Sequence, residues 1–584
     1  MITVGLSALY HDSACALLVD GKLVAAAHEE RFTRRRHDAR MPVEAFRFCL
    51  DRAGVGIDDI DCLAYYEDPS AKLARQLWTL LPTGGMGSRG ALLKLDATRP
   101  LREIRQLLGY EGPVDFVTHH ESHAASAFYC SGFEESALFV ADAVGEWATT
   151  SYGSGTAEGL HLVEEVRFPH SLGLLYSAVT NYLGFEVNSD EYKVMGLAPY
   201  GKPRFVDRLE SLFARRGGGQ FRLDLRYFDF GGGRRMFTDA LPDLLGIPAR
   251  SPEGSLSSLH EDIAASLQSL LESVLLENLT HLSTIVPSGR LCYAGGVALN
   301  CVANSVLRRR GPFDEIFVQP AAGDAGGAIG AAALVHHRQT GQFPRQRLRD
   351  ARLGYAERPA RVRALLAESD IAFRDFDGDR AGLVATTATA LAGGAVVGWF
   401  RGRAEFGPRA LGSRSILADP RDDRMRDRIN ALVKKREAFR PFAPAVAAER
   451  CAEFFDLDIP SPFMLETAQV IVDGLPAITH VDGSARVQTV DGSDDPAFHA
   501  LLTAFGERTG IPVLLNTSFN MRGEPIVNSA EDALACFVRS DLDVLVIEDC
   551  IIRREDVPAP LRERLLNSSP YRTPTASEAV YTFF

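Results

Sequence analysis

The sequence lacks any apolar stretch of the about 18 residues that a membrane-crossing helix needs, so no membrane association is expected. Its opening, MITVGLSALYHDSACALL, has no charged segment ahead of the apolar residues and reads as a strand, not a signal peptide. No C-x-x-C pair occurs among nine cysteines scattered from Cys15 to Cys550. That argues against a zinc finger or a disulfide framework and for a reducing cytoplasm. Excess basic charge is absent too: 63 Lys and Arg stand against 76 Asp and Glu, a net charge of −13. Such a chain is ill suited to wrap a nucleic-acid backbone, although a local basic pocket for one small anion remains open. Neither G-x-x-x-x-G-K-[ST] nor G-x-S-x-G is found, which removes the strongest support for P-loop nucleotidases and ordinary serine hydrolases. What is present, 46 % apolar and 24 % charged residues over 584 positions, fits a soluble chain of several domains.

Two segments follow one plan. VGLSALYHDSACALLVDGKLVAAAHEE reads as a strand, a polar corner at His11 and Asp12, a second strand, an Asp20-Gly21 turn and a third strand. ALFVADAVGEWATTSYGSGTAEGLHLVEEV repeats it, with Asp142 at the corner. Two acid-bearing hairpins, each followed by helices, predict a duplicated α/β domain of the actin, sugar-kinase and Hsp70 kind. TGQFPRQRLRDARLGYAERP, polar and Arg-rich, marks a boundary, giving a domain over residues 1–340, a linker at 341–360, a second α/β domain at 361–555 and a tail at 556–584. A formal G-x-G-x-x-G at Gly85, Gly87 and Gly90 follows a helical stretch rather than a strand, so it is read as coincidence.

The sharpest chemical signal is THHESHAASAFY. Thr118 and Glu121 form a capping box, and His119 and His123 then lie one turn apart on the same helix face. Imidazoles so placed either bind one metal ion or merely cap and hydrogen-bond. Asp142 at the end of a strand, and Asp324 opening a Gly/Ala-rich helix, favour the first reading, with iron(II), manganese or zinc as the ions suited to such a set. Gly295 and Gly296, before a helix near Asn300, allow close approach of a backbone to a phosphate. In the second domain Arg421, Arg424 and Arg428 read as a solvated helix face beside Met425, Ile429 and Leu432, whereas Arg409 and Arg440 flank prolines in rigid loops suited to forked phosphate recognition.

YHDSA, HHESHAASAF, DEYKVMGLAPYG, AGGVALN, GDAGGAIGAA, EFGPRALGSRSILADPR, FRPFAP and LLNTSFN occur in the order found in the O-carbamoyltransferases of antibiotic and nodulation-factor biosynthesis, the nebramycin synthetase-like family, which the chain resembles over residues 11 to about 527. The resemblance implies an actin-like, TsaD-like N-terminal domain and a YrdC-like C-terminal domain. The second would form carbamoyl adenylate from carbamoyl phosphate and ATP with Mg(2+), and the first would pass the carbamoyl group to a small-molecule alcohol. By motif, His119, His123, Asp142 and Asp324 would hold Fe(2+) or a similar divalent ion, and His11 would be the general base. Glu191, Gly295, Gly296 and Asn300 would contact the adenylate in the first domain. Arg409, Lys434 (or the adjacent Lys435), Arg440, Arg486, Asn516 and Ser518 would grip carbamoyl phosphate and ATP in the second. No nucleic acid and no membrane is expected as a partner, and a homodimer is compatible with the family. A tRNA threonylcarbamoyl-type enzyme is disfavoured by the acidic balance. A hydrogenase-maturation carbamoyltransferase is disfavoured by domain order and missing zinc-finger cysteines. An actin-like ATPase scaffold would leave the HHESH set and the second domain unexplained.

Overall fold

A computed structural model describes residues 1–80, 95–231, 235–252, 254–343, 347–431 and 439–567. The glycine triplet Gly85, Gly87 and Gly90, both Lys434 and Lys435, Leu432 and the last seventeen residues therefore lie outside the described residues. The described chain divides into two compact units. One comprises Met1–Glu29 and His37–Leu348; the other comprises Glu30–Arg36 and the chain from Arg349 onward.

The first unit holds two sheets of one design. Its strands are β1 (Ile2–Ser7), β2 (Ala14–Val19), β3 (Lys22–His28), β4 (Cys62–Tyr65), β5 (Val114–Phe116), β6 (Ser136–Ala141), β7 (Ala148–Thr156), β8 (Gly159–Arg167), a hairpin of β9 (Phe213–Gly217) and β10 (Gln220–Leu223), β11 (Arg290–Ala294) and β12 (Glu315–Val318). The sheet orders are β3-β2-β1-β4-β5 and β12-β11-β6-β7-β8. In each, an antiparallel three-strand meander is followed by two strands that run parallel to its first member. Reading the second order backwards reproduces the first, which is the duplication expected from the two acid-bearing hairpins. Asp20 and Gly21 both have positive φ, 49° and 74°, as a type I′ turn requires. β1, β2 and β6 are buried almost throughout, as strands with helices over both faces must be.

Two helices carry the centre of this unit, His119–Ser131 and Asp324–Thr340. They pack closely because small residues meet at the crossing. A Cβ on Gly330 would fall 1.8 Å from the Ser122 carbonyl oxygen, and one on Gly5 would fall 1.8 Å from that of Ala328. The glycines thus let the second helix lie directly against both the first helix and β1.

The second unit is built on one mixed sheet. Its strands are β13 (Arg374–Asp375), β14 (Val397–Phe400), β15 (Arg414–Ala418), β16 (Ala443–Ala447), β17 (Thr467–Gln469), β18 (Ser484–Arg486), β19 (Gln488–Val490), β20 (Val513–Ser518), β21 (Val544–Ile547) and β22 (Cys550–Arg553). Eight of them form the order β13-β22-β21-β14-β15-β20-β16-β19, while β17 and β18 pair separately. Neighbouring residues face opposite ways, so Phe400, Ile416, Val446 and Leu515 enter one core and Trp399, Leu417, Ala445 and Leu514 the other.

Two boundaries differ from the sequence reading. The stretch expected as a linker at 341–360 is already packed from Arg349, with Ala351 and Leu353 buried and Ala351 and Tyr355 carbonyls accepting from the Phe406 and Ala404 amides at 2.7 Å each. Apolar side chains interleaved among the arginines give it that anchorage. The tail expected from 556 begins instead with a helix, Ala559–Asn567. No described helix is long and apolar enough to cross a membrane.

Candidate active site

Thr118 and Glu121 cap the helix His119–Ser131 as a reciprocal box, and the Glu146 carboxylate accepts the His119 amide at 2.9 Å from outside it. That start fixes His119 and His123 on one face. Their Nε2 atoms lie 3.0 Å apart. Asp142, just past β6, brings Oδ2 to 3.3 Å from His119 Nε2 and 4.0 Å from His123 Nε2. Asp324, at the first turn of its helix, places Oδ1 3.7 Å from each imidazole Nε2. All four side chains are buried. Donors sharing one ion at about 2.1 Å stand about 3 Å apart at a right angle and about 4.2 Å apart when opposed, so this set fits a single divalent ion. Two neutral nitrogens and two carboxylates also match a cation in charge.

The electrostatics point the same way. Burial pulls the His119 imidazole down, but the bond to Asp142 and the charges of Asp324, Asp142 and Glu146 outweigh it and raise the group to about 9. Burial pushes the Asp142 carboxyl up, yet both imidazoles and the Gly296 amide hold it well below the usual carboxylate range. The pocket has an excess of negative charge that attracts a positive partner. His120 faces away, bonded to Ser151 Oγ at 2.7 Å, and burial keeps it neutral.

His11 sits in the corner between β1 and β2. Its Nε2 lies 4.0 Å from Asp324 Oδ2, so one carboxylate faces the histidine pair with one oxygen and His11 with the other. Its Nδ1 is 3.0 Å from Asp12 Oδ2, and Asp12 Oδ1 is 2.7 Å from His37 Nδ1. Asp12 has φ of 53°, a left-handed corner that aspartate tolerates better than most residues. An unperturbed imidazole titrates near about 6.5. Burial lowers it, but Asp324 and Asp12 raise it to about 9.

The nucleotide-contact residues carried over by motif behave differently from one another. Gly295, with φ of 94°, runs so near β6 that a Cβ would fall 2.2 Å from the Ala141 carbonyl oxygen. The Gly296 N–H donates to Asp142 Oδ1 at 2.7 Å. It therefore aims Oδ2 at the histidines rather than presenting a free amide to phosphate. Asn300 caps the helix Cys301–Arg310 and pairs with Gln268 at 2.9 Å and 3.2 Å. Glu191 accepts from Ser177 and from the Asn188 amide, and burial raises its carboxyl.

In the second unit, Asn516 and Ser518 lie on β20 opposite Leu417 and Ser415 of β15. Asn516 donates to Gln488 Oε1 at 2.8 Å and lies 3.4 Å from the Ala410 carbonyl oxygen, beside Arg409. Gln488, which no sequence signal marked, also donates to the Leu411 carbonyl at 2.7 Å and so ties the Arg409 loop to β20. Arg486 ends β18, and Arg440 precedes β16 by three residues. Arg428, expected as solvated, instead pairs with Asp543 at 2.8 Å and donates to the Gly394 carbonyl at 2.8 Å.

Comparison with known proteins agrees with this two-unit plan. Residues 2–79 and 100–333 match the family model described as carbamoyltransferase N-terminus, and 388–554 match carbamoyltransferase C-terminus. A protein of Synechocystis sp. is 45 % identical, covering 95 % of this chain and 97 % of its own. Nodulation protein NolNO of Sinorhizobium fredii is 41 % identical over 96 % of this chain and 81 % of its own. The 3'-hydroxymethylcephem-O-carbamoyltransferase of Streptomyces clavuligerus is 29 % identical over 93 % and 98 %. The chain is a transferase and belongs to the carbamoyltransferase family.

Proposed function

We propose that the chain is an ATP-dependent O-carbamoyltransferase that works in two steps, one in each unit. In the second unit, carbamoyl phosphate, water and ATP with Mg(2+) give carbamoyl adenylate, phosphate and pyrophosphate. In the first, an alcohol oxygen attacks the carbamoyl carbon, its bond to the adenylate oxygen breaks, and AMP leaves. Carbamate itself is a poor electrophile, and the adenylate supplies the leaving group it lacks. The cephem relative is named as an O-carbamoyltransferase, which supports a hydroxyl acceptor in a small natural product.

The observation that carries this reading is the shared carboxylate of Asp324, which sets His11 beside the four-residue donor cluster. An alcohol is a weak nucleophile and needs its proton removed as it attacks. His11 Nε2 is the atom that takes it, and Asp12 holds the Nδ1 proton so that Nε2 stays available. His119, His123, Asp142 and Asp324 would hold Fe(2+) or a similar ion, which when bound supplies Lewis acidity toward an adenylate phosphate. Positive charge there also offsets the carboxylate field that raises His11.

The test is to incubate the full chain with ATP, carbamoyl phosphate and a panel of hydroxylated macrolides, glycosides and aminoglycosides. A product heavier by one CONH unit, formed with equimolar AMP, is expected. A carbamoylated product formed without ATP consumption would overturn the two-step scheme.

A further inference from the structure

We infer that Arg31, supplied from the N-terminal part of the sequence, is a positioning residue for the Arg409 loop of the second unit. The inference rests on the reading of that unit as the adenylate-forming one.

The seven residues Glu30–Arg36 fold as part of the second unit, although both flanking segments belong to the first. Arg34 is their anchor. It donates to the Ile526 carbonyl at 2.6 Å and the Pro525 carbonyl at 2.8 Å, and pairs with Asp532 at 3.3 Å. Arg31, only 5 % exposed, donates through Nη2 to the Gly407 carbonyl at 2.9 Å across 376 positions of sequence. Gly407 has φ of 126°, a conformation that only glycine adopts without strain, so its carbonyl direction depends on that backbone setting.

The far end of the same loop is held independently. Glu405 Oε1 accepts the amides of Leu411, Ser413 and Arg414 at 2.7, 2.8 and 3.2 Å. Arg409 is thus two residues from a fixed carbonyl on one side and two residues from a fixed amide on the other. Charge-assisted bonds from a buried guanidinium are strong and directional. Loss of the Arg31 bond removes the guanidinium that orients the Gly407 carbonyl, leaving the Phe406 amide on the Ala351 carbonyl as the neighbouring anchor, and displacement of a substrate-gripping group by about 1 Å costs up to about 100-fold in rate.

The test uses full-length Arg31→Ala and Arg31→Met; the methionine keeps an apolar stem in the same space and removes the donors together with the charge. Two quantities are read: amide hydrogen exchange at Arg409 and Ala410, and kcat/KM for carbamoyl phosphate in pyrophosphate–ATP exchange. Both variants are expected to speed those amides by about tenfold or more and to lower kcat/KM by about 10–100-fold. Arg31→Lys, which can still donate to Gly407, should recover part of both, and metal content in the first unit should not change. Unchanged exchange at Arg409 and Ala410 would overturn the inference, as would faster amide exchange with unchanged kcat/KM. Absence of any carbamoyl-phosphate-dependent exchange in the wild type would count against the adenylation reading instead, and the amide data would then decide the role of Arg31 alone.

Discussion

Asp12 is shared by two imidazoles, His11 at 3.0 Å and His37 at 2.7 Å, and the first of them lies beside Asp324 of the four-residue donor cluster. A carboxylate on Nδ1 sets the tautomer of an imidazole, and the wrong tautomer cannot accept a proton at Nε2. Asp12→Asn should therefore lower carbamoyl transfer by about 10²–10⁴-fold while bound metal per chain, measured by elemental analysis, stays as in the wild type. Loss of metal in that variant would place Asp12 in the ligand shell and refute its role on His11. His11 was legible in the sequence because a polar pair interrupts two apolar strands. The link to His37, 25 residues away, has no local signature and exists only because the chain folds back on its corner. The same holds for Gly296, whose motif suggested phosphate contact and whose amide is used on Asp142.

At the scale of elements, the donor cluster depends on how closely two helices approach. Gly330 lies against the Ser122 carbonyl with no room for a methyl group. Gly330→Val must push apart the helices bearing Asp324 and the histidine pair. The expected outcome is a loss of about 1–3 kcal/mol or more in stability, with weaker metal retention in thermal and metal-titration measurements. Retained metal affinity at reduced stability would separate packing from ligand placement. A second element is the helix Val43–Ala53, whose Pro42 cap supplies no side-chain bond. The Glu29 carboxylate receives its Glu44 and Ala45 amides at 3.2 and 2.8 Å, and burial pushes that carboxyl up to about 7. Because the folded chain keeps a proton there that the unfolded chain releases at lower pH, this group's contribution to stability falls as pH rises from about 4.5 to about 7. The stability of the wild type relative to Glu29→Gln should fall across that window, as followed by denaturant unfolding. A relative stability that rises with pH would contradict the assignment. Helices and strands around the site were readable from spacing alone: the His119 capping box, the Asp142 strand end and the Asp324 helix start each have a local pattern. Side-chain partners such as Gln268 for Asn300 and Gln488 for Asn516 do not, since hydrogen bonds across 28 or more positions leave no periodicity.

On the scale of the whole molecule, Glu30–Arg36 belongs to the second unit although both flanking segments belong to the first, and no local pattern in the sequence marks it. Chain order and domain membership part company there because one basic segment finds carbonyls and a carboxylate in the second unit. A net charge of −13 disfavours a polyanion partner and is compatible with a local basic pocket for one small anion. The proposed chemistry is a division of labour, with activation in one unit and transfer in the other. It is tested most directly by carbamoyl-phosphate-dependent exchange of labelled pyrophosphate into ATP by full-length His11→Ala, without acceptor. Exchange at the wild-type rate from a variant that carbamoylates no alcohol is the predicted result; loss of exchange together with loss of transfer would contradict it.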